Sequence, residues 1–449
     1  MSSVSDSNTT VIKKGVFTSC KKNDDCPPWS IYASEIKHNK MKKQLIYKDA
    51  VLKIYDLPVL YFPKFFHPDP SVKRQSGILI PELNSSNNLG NSVTLPYFKV
   101  ISNNKDLTLN PTFFDGNTSM LTTEYRAINK KNKILADVGY VNGYKSTTTN
   151  KKSNLSHYFL DIDHDLKLEN FNSSDLKLSL KRVSNDTYLK VFDQHITKSS
   201  LRPENFDNLN SSLKLFLNHK DFIFETGVQS FEDLQIENKS DRYQYNLPYY
   251  SYDKSVEQNY FDGTINFNSN GNNYLSDTNK LETNIINNFI YNSTDYISDF
   301  GLKNNFSLSL KNLNSIGKKT SQYKSNPQME IAGLFNVDFS MPLEKKNNKS
   351  KNILIPKISF RFNPSDMKNY SSSENKINAG NVFALNRLGL SDTLEAGKSI
   401  TLGLDFNNEK KNNLDQINNY FELKLATVLR DKEQNFIPNK STINKKNQI

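Results

Sequence analysis

From about Ile78 onward the chain repeats one pattern: short segments alternate apolar and polar residues, divided by loops rich in Asn, Ser, Lys and Gly, with no helical periodicity between them. Leu176, Leu178 and Leu180 alternate with Lys177, Ser179 and Lys181. Phe306, Leu308 and Leu310 alternate with Ser307 and Ser309, and Ile358, Phe360 and Phe362 with Lys357, Ser359 and Arg361. Ile400, Leu402, Leu404 and Phe406 do the same against Ser399, Thr401, Gly403 and Asp405. A period of two puts successive side chains on opposite faces of a strand, so each segment has one apolar and one polar face. A soluble sandwich gives the same alternation in any single segment. Sustained over roughly 370 residues, the pattern favours one closed sheet with a polar inner wall, since closure removes exposed edges. At about 10 residues per strand plus turns and loops, the stretch supplies roughly 16 to 18 strands.

Composition narrows the classes. Hydrophobic residues make up 36% of the 449 positions. No run of about 18 apolar residues occurs, which argues against a helical membrane span but not against a barrel, where only every second strand residue faces lipid. The net charge is +11, yet lysine supplies 50 of the 58 basic residues and they are scattered through the loops. A dispersed charge of this kind does not point to nucleic acid, whose phosphates call for clustered Lys and Arg. Five of the eight arginines, Arg74, Arg126, Arg361, Arg387 and Arg430, fall inside segments that read as motifs, as if Arg marks constrained positions.

Between Val11 and about Pro70 the chain reads as closely spaced strands: Trp29 to Ile36, Gln44 to Lys48, Val51 to Tyr55, and Pro58 to Phe66. That spacing suggests a sandwich or jelly roll, too short to be a complete one. There follow RQSGILIPEL, LPYF and LTLNPTFFDGNTSMLTTEYR. Pro81 and Pro96 each fall in an apolar stretch that otherwise reads as a strand, and proline lacks the N–H that a ladder needs.

Residues 18–126, carrying these elements and AVLKIYDLPVLYFPKFFHPDP before them, resemble the LptD (OstA) family of outer-membrane lipopolysaccharide-assembly proteins. NILIPKISFRFNP, NVFALNRLGLSDTLEAGKSITLGLDF and LATVLRDKEQNFIP, within 353–438, resemble interior stretches of the family's barrel. The middle is recognisable only as barrel-like. The resemblance implies an all-β chain: the C-terminal part of a periplasmic β-jelly roll over residues 1–75, then a large antiparallel transmembrane β-barrel, incomplete, over 76–449. Met1 opens a polar segment without a secretory signal, so the family pattern places a signal peptide, the start of the N-terminal domain and the last barrel strands outside this chain.

Under that resemblance the function is transport of lipopolysaccharide (LPS) from a periplasmic bridge, through a barrel lumen and a lateral gate, to the outer leaflet. The implied partners are LPS, the outer-membrane lipoprotein plug LptE, the periplasmic bridge protein LptA and outer-membrane lipids; no enzyme activity, cofactor or metal is implied. Pro81 and Pro96 would weaken the gate strands. Trp29, Ile31 and Ile54 would line an acyl-chain groove. Tyr61, Phe62, Phe65 and Phe66 form either an interfacial girdle or packing within the jelly roll. Cys20 and Cys26 are candidates for a disulfide; the family pairs the first with a cysteine near the barrel's C-terminus that has no match here, so the connectivity stays open. In DIDHD, Asp161, Asp163 and Asp165 share a face opposite His164; a hard-cation site and a plain polar wall both fit. The rival readings are another outer-membrane barrel, a porin or receptor, and a secreted soluble β-rich surface protein.

Overall fold

In the computed structural model of the protein, the structure describes residues 2–18, 29–54, 57–69, 71–72, 74–146, 152–238, 240–258, 262–347, 350–411, 417–441 and 443. Cys20 and Cys26 lie outside the described residues. Two compact units divide the chain: residues 1–160 with 182–202, and residues 161–181 with 203–449.

Within the first unit, β1 (Ser2–Ser5), β2 (Thr9–Phe17), β3 (Trp29–Asn39), β4 (Gln44–Ile54) and β5 (Leu57–Pro68) form a five-stranded antiparallel sheet in sequence order. The two strands expected at Gln44–Lys48 and Val51–Tyr55 are one strand. Asp49 turns its backbone to φ +49°, as Lys14 does in β2 at +54°, and this kink breaks the alternation without ending the strand. The Asp49 carboxylate accepts hydrogen bonds from Ser34 Oγ (2.8 Å) and Tyr61 OH (3.0 Å), which hold it below the usual carboxylate range. Ala33, Ile36, Tyr47 and Ala50 are buried, with Phe17, Ile31, Phe62 and Phe65 packed on them. Of the four aromatics singled out in β5, Phe62 and Phe65 thus join the core, whereas Tyr61 and Phe66 are exposed.

The remaining strands belong to a second antiparallel sheet. In the first unit these are β6 (Gly77–Ile78), β7 (Glu82–Ser86), β8 (Gly90–Thr94), β9 (Tyr97–Ser102), β10 (Lys105–Phe114), β11 (Ser119–Ile128), β12 (Asn132–Lys145) and most of β13 (Lys152–Asp165). The second unit continues the meander from Phe171–Val183 to Ile417–Arg430. Antiparallel neighbours in sequence order are what the all-β, barrel-type reading of the sequence expected.

Parts of the strands of the second unit bury polar side chains and expose apolar ones. Along the strand Ser350–Asn363, Ser359 is 0% and Asn363 1% exposed, while Phe360 and Phe362 are 45% and 43% exposed. On Lys303–Lys318, Ser307, Ser309 and Lys311 are buried and Phe306, Leu308 and Leu310 exposed. In water this arrangement forfeits the burial term that folds a soluble sheet, about 25 cal/mol per Å² of apolar surface; beside hydrocarbon it does not. Asparagine amides also bond across neighbouring strands here, Asn246 to Asn272 (3.0 Å), Asn288 to Asn268 (3.2 Å) and Asn287 to Asn312 (3.1 Å).

Candidate functional site

The first strands of the second sheet are broken where the sequence places its prolines. Pro81 lies between β6 and β7, and Pro96 between β8 and β9. On one side of the break β6 pairs with β9, Ile78 opposite Tyr97. On the other, β7 pairs with β8, Glu82 opposite Thr94. Between them the backbone bond from Leu79 N to Pro96 O (2.8 Å) bridges the two chains. β10 runs past the break, with Leu109 opposite Tyr97 and Thr112 opposite Thr94. At that level stands Pro111, whose carbonyl accepts from Leu95 N (3.0 Å). Sequence reasoning singled out two prolines and missed this third one. The signal was present: Pro111 follows Pro96 by the same fifteen positions that separate Pro96 from Pro81.

Each side of the break is anchored separately. Toward β9, the buried Asp106 of β10 receives Arg126 Nε (2.7 Å) and an ion pair from Arg74, whose Nη1 also donates to Asn103 O (2.8 Å). Toward β8, Thr94 and Thr112 share a buried hydroxyl contact (2.8 Å), and the ring of Phe114 meets His195 (5.0 Å) and Phe192 (6.4 Å).

His195 and Phe192 belong to the segment 184–202, which carries the one-turn helices α1 (Tyr188–Val191) and α2 (Asp193–Ile196). Tyr188, Leu189, Phe192, Ile196 and Leu201 are buried. Tyr188 OH lies 2.9 Å from His157 Nδ1, and Asp137 Oδ1 3.2 Å from His157 Nε2. Burial, with the Asp137 charge second, raises the Tyr188 phenol, and burial lowers the His195 imidazole despite Glu82. Gly139 makes room: a Cβ there would collide with the His157 ring and sit 3.0 Å from the Tyr188 hydroxyl. Lys198 of this segment forms an exposed ion pair with Glu82, the residue after Pro81.

In the second unit the segment 364–396 lies against the polar face of its strands. Glu395 binds Arg387 (Nη2–Oε1 2.7 Å) and Arg430 (Nε–Oε1 3.0 Å), and Arg387 also donates to Thr401 and Ser399 (3.0 Å each). Arg361 donates to the carbonyls of Ala384 (3.1 Å) and Leu385 (2.7 Å). Burial alone would raise the Glu395 carboxyl, but Arg387, then Arg430 and Arg361, hold it at about 2. Met367, Ile377, Val382, Leu388 and Leu390 pack with Val428 and Ile437. All five arginines that the sequence singled out thus serve two carboxylate clusters or cap the segment they flank.

Trp29 and Ile31 sit in β3, Trp29 6.1 Å from Phe17 and Ile31 against the sheet core; Ile54 is the Cα partner of Trp29. The acidic run is dispersed among separate partners. Asp161 accepts from Ser179 Oγ (2.7 Å), Asp163 pairs with Lys177 (3.4 Å), and Asp165 accepts from Lys167 N (3.0 Å). Among the described residues no group of three His, Cys, Asp or Glu side chains is disposed to hold a metal.

Residues 155–445 match the family model LptD: LPS transport system D. The match runs through the middle of the chain, which the sequence motifs alone left as generic barrel. The LPS-assembly protein LptD of Idiomarina loihiensis is 29% identical over 184 residues, covering 40% of this chain and 23% of that protein. Proteins of the same description from Pseudoalteromonas translucida and Saccharophagus degradans are 32% and 33% identical over 137 and 134 residues. These alignments span only 15–23% of the relatives' own length. A solved bacterial polysaccharide outer membrane secretin, 8% identical with a TM-score of 0.24 over 61% of this chain and 84% of that one, is too distant to carry an argument.

Proposed function

We propose that this chain, which belongs to the LptD family of LPS transport system proteins, forms an outer-membrane wall through which LPS reaches the cell surface. The observation that supports this reading most directly is the inversion of its strand faces: Phe360 and Phe362 are exposed while Ser359 and Asn363 are buried. A secreted soluble β protein would bury the phenylalanines. A porin would leave its polar wall open to water, whereas here 364–396 covers part of it.

The sheet β1–β5 is the proposed periplasmic domain, receiving LPS from the bridge protein LptA. Trp29, Ile31 and Ile54 are its proposed acyl-chain contacts, supported by the aromatic packing beside them. The lipoprotein LptE is the proposed plug. The sugar portion of LPS would follow the polar face while its acyl chains leave sideways into the bilayer. Pro81 and Pro96 are the proposed gate residues, because an interrupted ladder opens at lower cost than a complete one, each missing hydrogen bond being worth about 0.5–1.5 kcal/mol. No covalent step is involved. Depleting the chain in the cell that makes it, and measuring surface LPS by probe binding, tests the reading. Surface LPS should fall while total LPS persists inside the envelope; unchanged surface LPS in depleted cells would refute it.

A further inference from the structure

The break in the first strands reaches further than Pro81 and Pro96. In an antiparallel ladder, residues of a hydrogen-bonded pair exchange two bonds, each donating to the other's carbonyl. Leu79 donates to Pro96 O and Leu95 donates to Pro111 O. In both pairs the returning bond is impossible, because residues 96 and 111 have no N–H. Two adjacent ladders are thus half-made at one level. On either side of that level the pairing is regular: Gly77 with Phe98 and Leu109 with Tyr97 below, Glu82 and Thr112 with Thr94 above. The parts that flank it are also anchored to different things, the lower to Arg74 and Arg126 through Asp106, the upper to the segment 184–202 through Phe114 and Glu82.

From this geometry we infer that Pro111 is a positioning residue of the gate. It carries the weakness of the first two strands into a third, so that β6–β10 bend along a crease and the part above it moves with the segment 184–202. The inference rests on the proposed gate for its purpose, but the crease itself is a property of the backbone and is measured without LPS.

The test is site-resolved amide hydrogen exchange on the full chain in outer-membrane lipid vesicles, with heat-modifiable migration to confirm a folded barrel. Pro111→Ala supplies the missing donor, so the Leu95 amide should exchange about three- to tenfold more slowly while Leu79 stays as it was. Pro96→Ala should slow Leu79. If Pro111→Ala does not fold, Pro111→Ser is read the same way. Leu95 protection in the unsubstituted chain equal to that of the fully paired Leu107, and unchanged by either substitution, would overturn the crease. A second arm places Pro111→Ala in the gene of the host cell and measures surface LPS. Slowed exchange with normal delivery, where Pro96→Ala impairs delivery, would remove Pro111 from the gate and leave the gate standing. Normal delivery in both variants would sink the gate reading itself.

Discussion

The segments 184–202 and 364–396 both pack against strands of their own unit, yet they are held there by different chemistry. The first is held by rings: Tyr188, Phe192 and His195 packed on Phe114, Tyr144 and His157, with an exposed ion pair from Lys198 to Glu82. The second adds buried charge to its apolar cluster: Glu395 between Arg387 and Arg430, and Arg361 on the carbonyls of its turn. Each rests where the wall has no side chain, Tyr188 beside Gly139 and Phe383 over Gly403. Ring packing loses stability in proportion to the atoms removed, whereas a buried ionic cluster is robust when complete and fails sharply when one member is lost. The two attachments therefore carry different vulnerabilities.

Four experiments sharpen or break that contrast. Glu395→Gln leaves two buried guanidinium groups, Arg387 and Arg430, without their carboxylate and should cost about 3–5 kcal/mol. Protease cleavage within 364–396 should rise steeply while 184–202 stays protected; equal protection of both segments would show that charge does not hold the second one. Phe192→Ala should cost about 3 kcal/mol and expose 184–202 alone, read by the same cleavage assay.

Acid should separate the two without mutation. The Glu395 carboxyl titrates near 2 in the folded protein against an ordinary 4.5, so its contribution is full above about pH 4.5 and disappears as pH falls through about 2. Hydrogen exchange in 364–396 should accelerate across that window, with 184–202 lagging. The smallest effect belongs to Lys198→Ala: its partner Glu82 is reached across solvent, and the loss should be about 0–1 kcal/mol and vanish in high salt. A larger change in the protection of β7 would mean that the segment braces the proline break more tightly than its exposure suggests.

How much of this the sequence made legible depended on how local the cause was. Alternation identified the strands around Phe306 and Phe360, and its repetition along the chain favoured a polar inner wall, although no single segment distinguishes that from a soluble sandwich. The five arginines stood out against a lysine-rich background, and each serves a buried carboxylate or carbonyl group, a task suited to a planar fork of donors. Their partners were not legible, because Asp106 lies 32 positions from Arg74 and Glu395 lies 35 from Arg430. Asp49 misled for the opposite reason, its kink imitating a strand end inside β4.

The asparagine amides that bridge the strands carry one more consequence. Asn246 with Asn272, Asn288 with Asn268 and Asn287 with Asn312 join neighbouring strands through groups that neither gain nor lose a proton anywhere near physiological conditions. Each amide is at once donor and acceptor, so these rungs require no counterion and are not screened. A cell whose surroundings swing in acidity or salinity would find these rungs equally stiff throughout, unlike the ion pairs elsewhere in the molecule, such as Lys177 with Asp163 or Lys214 with Glu225.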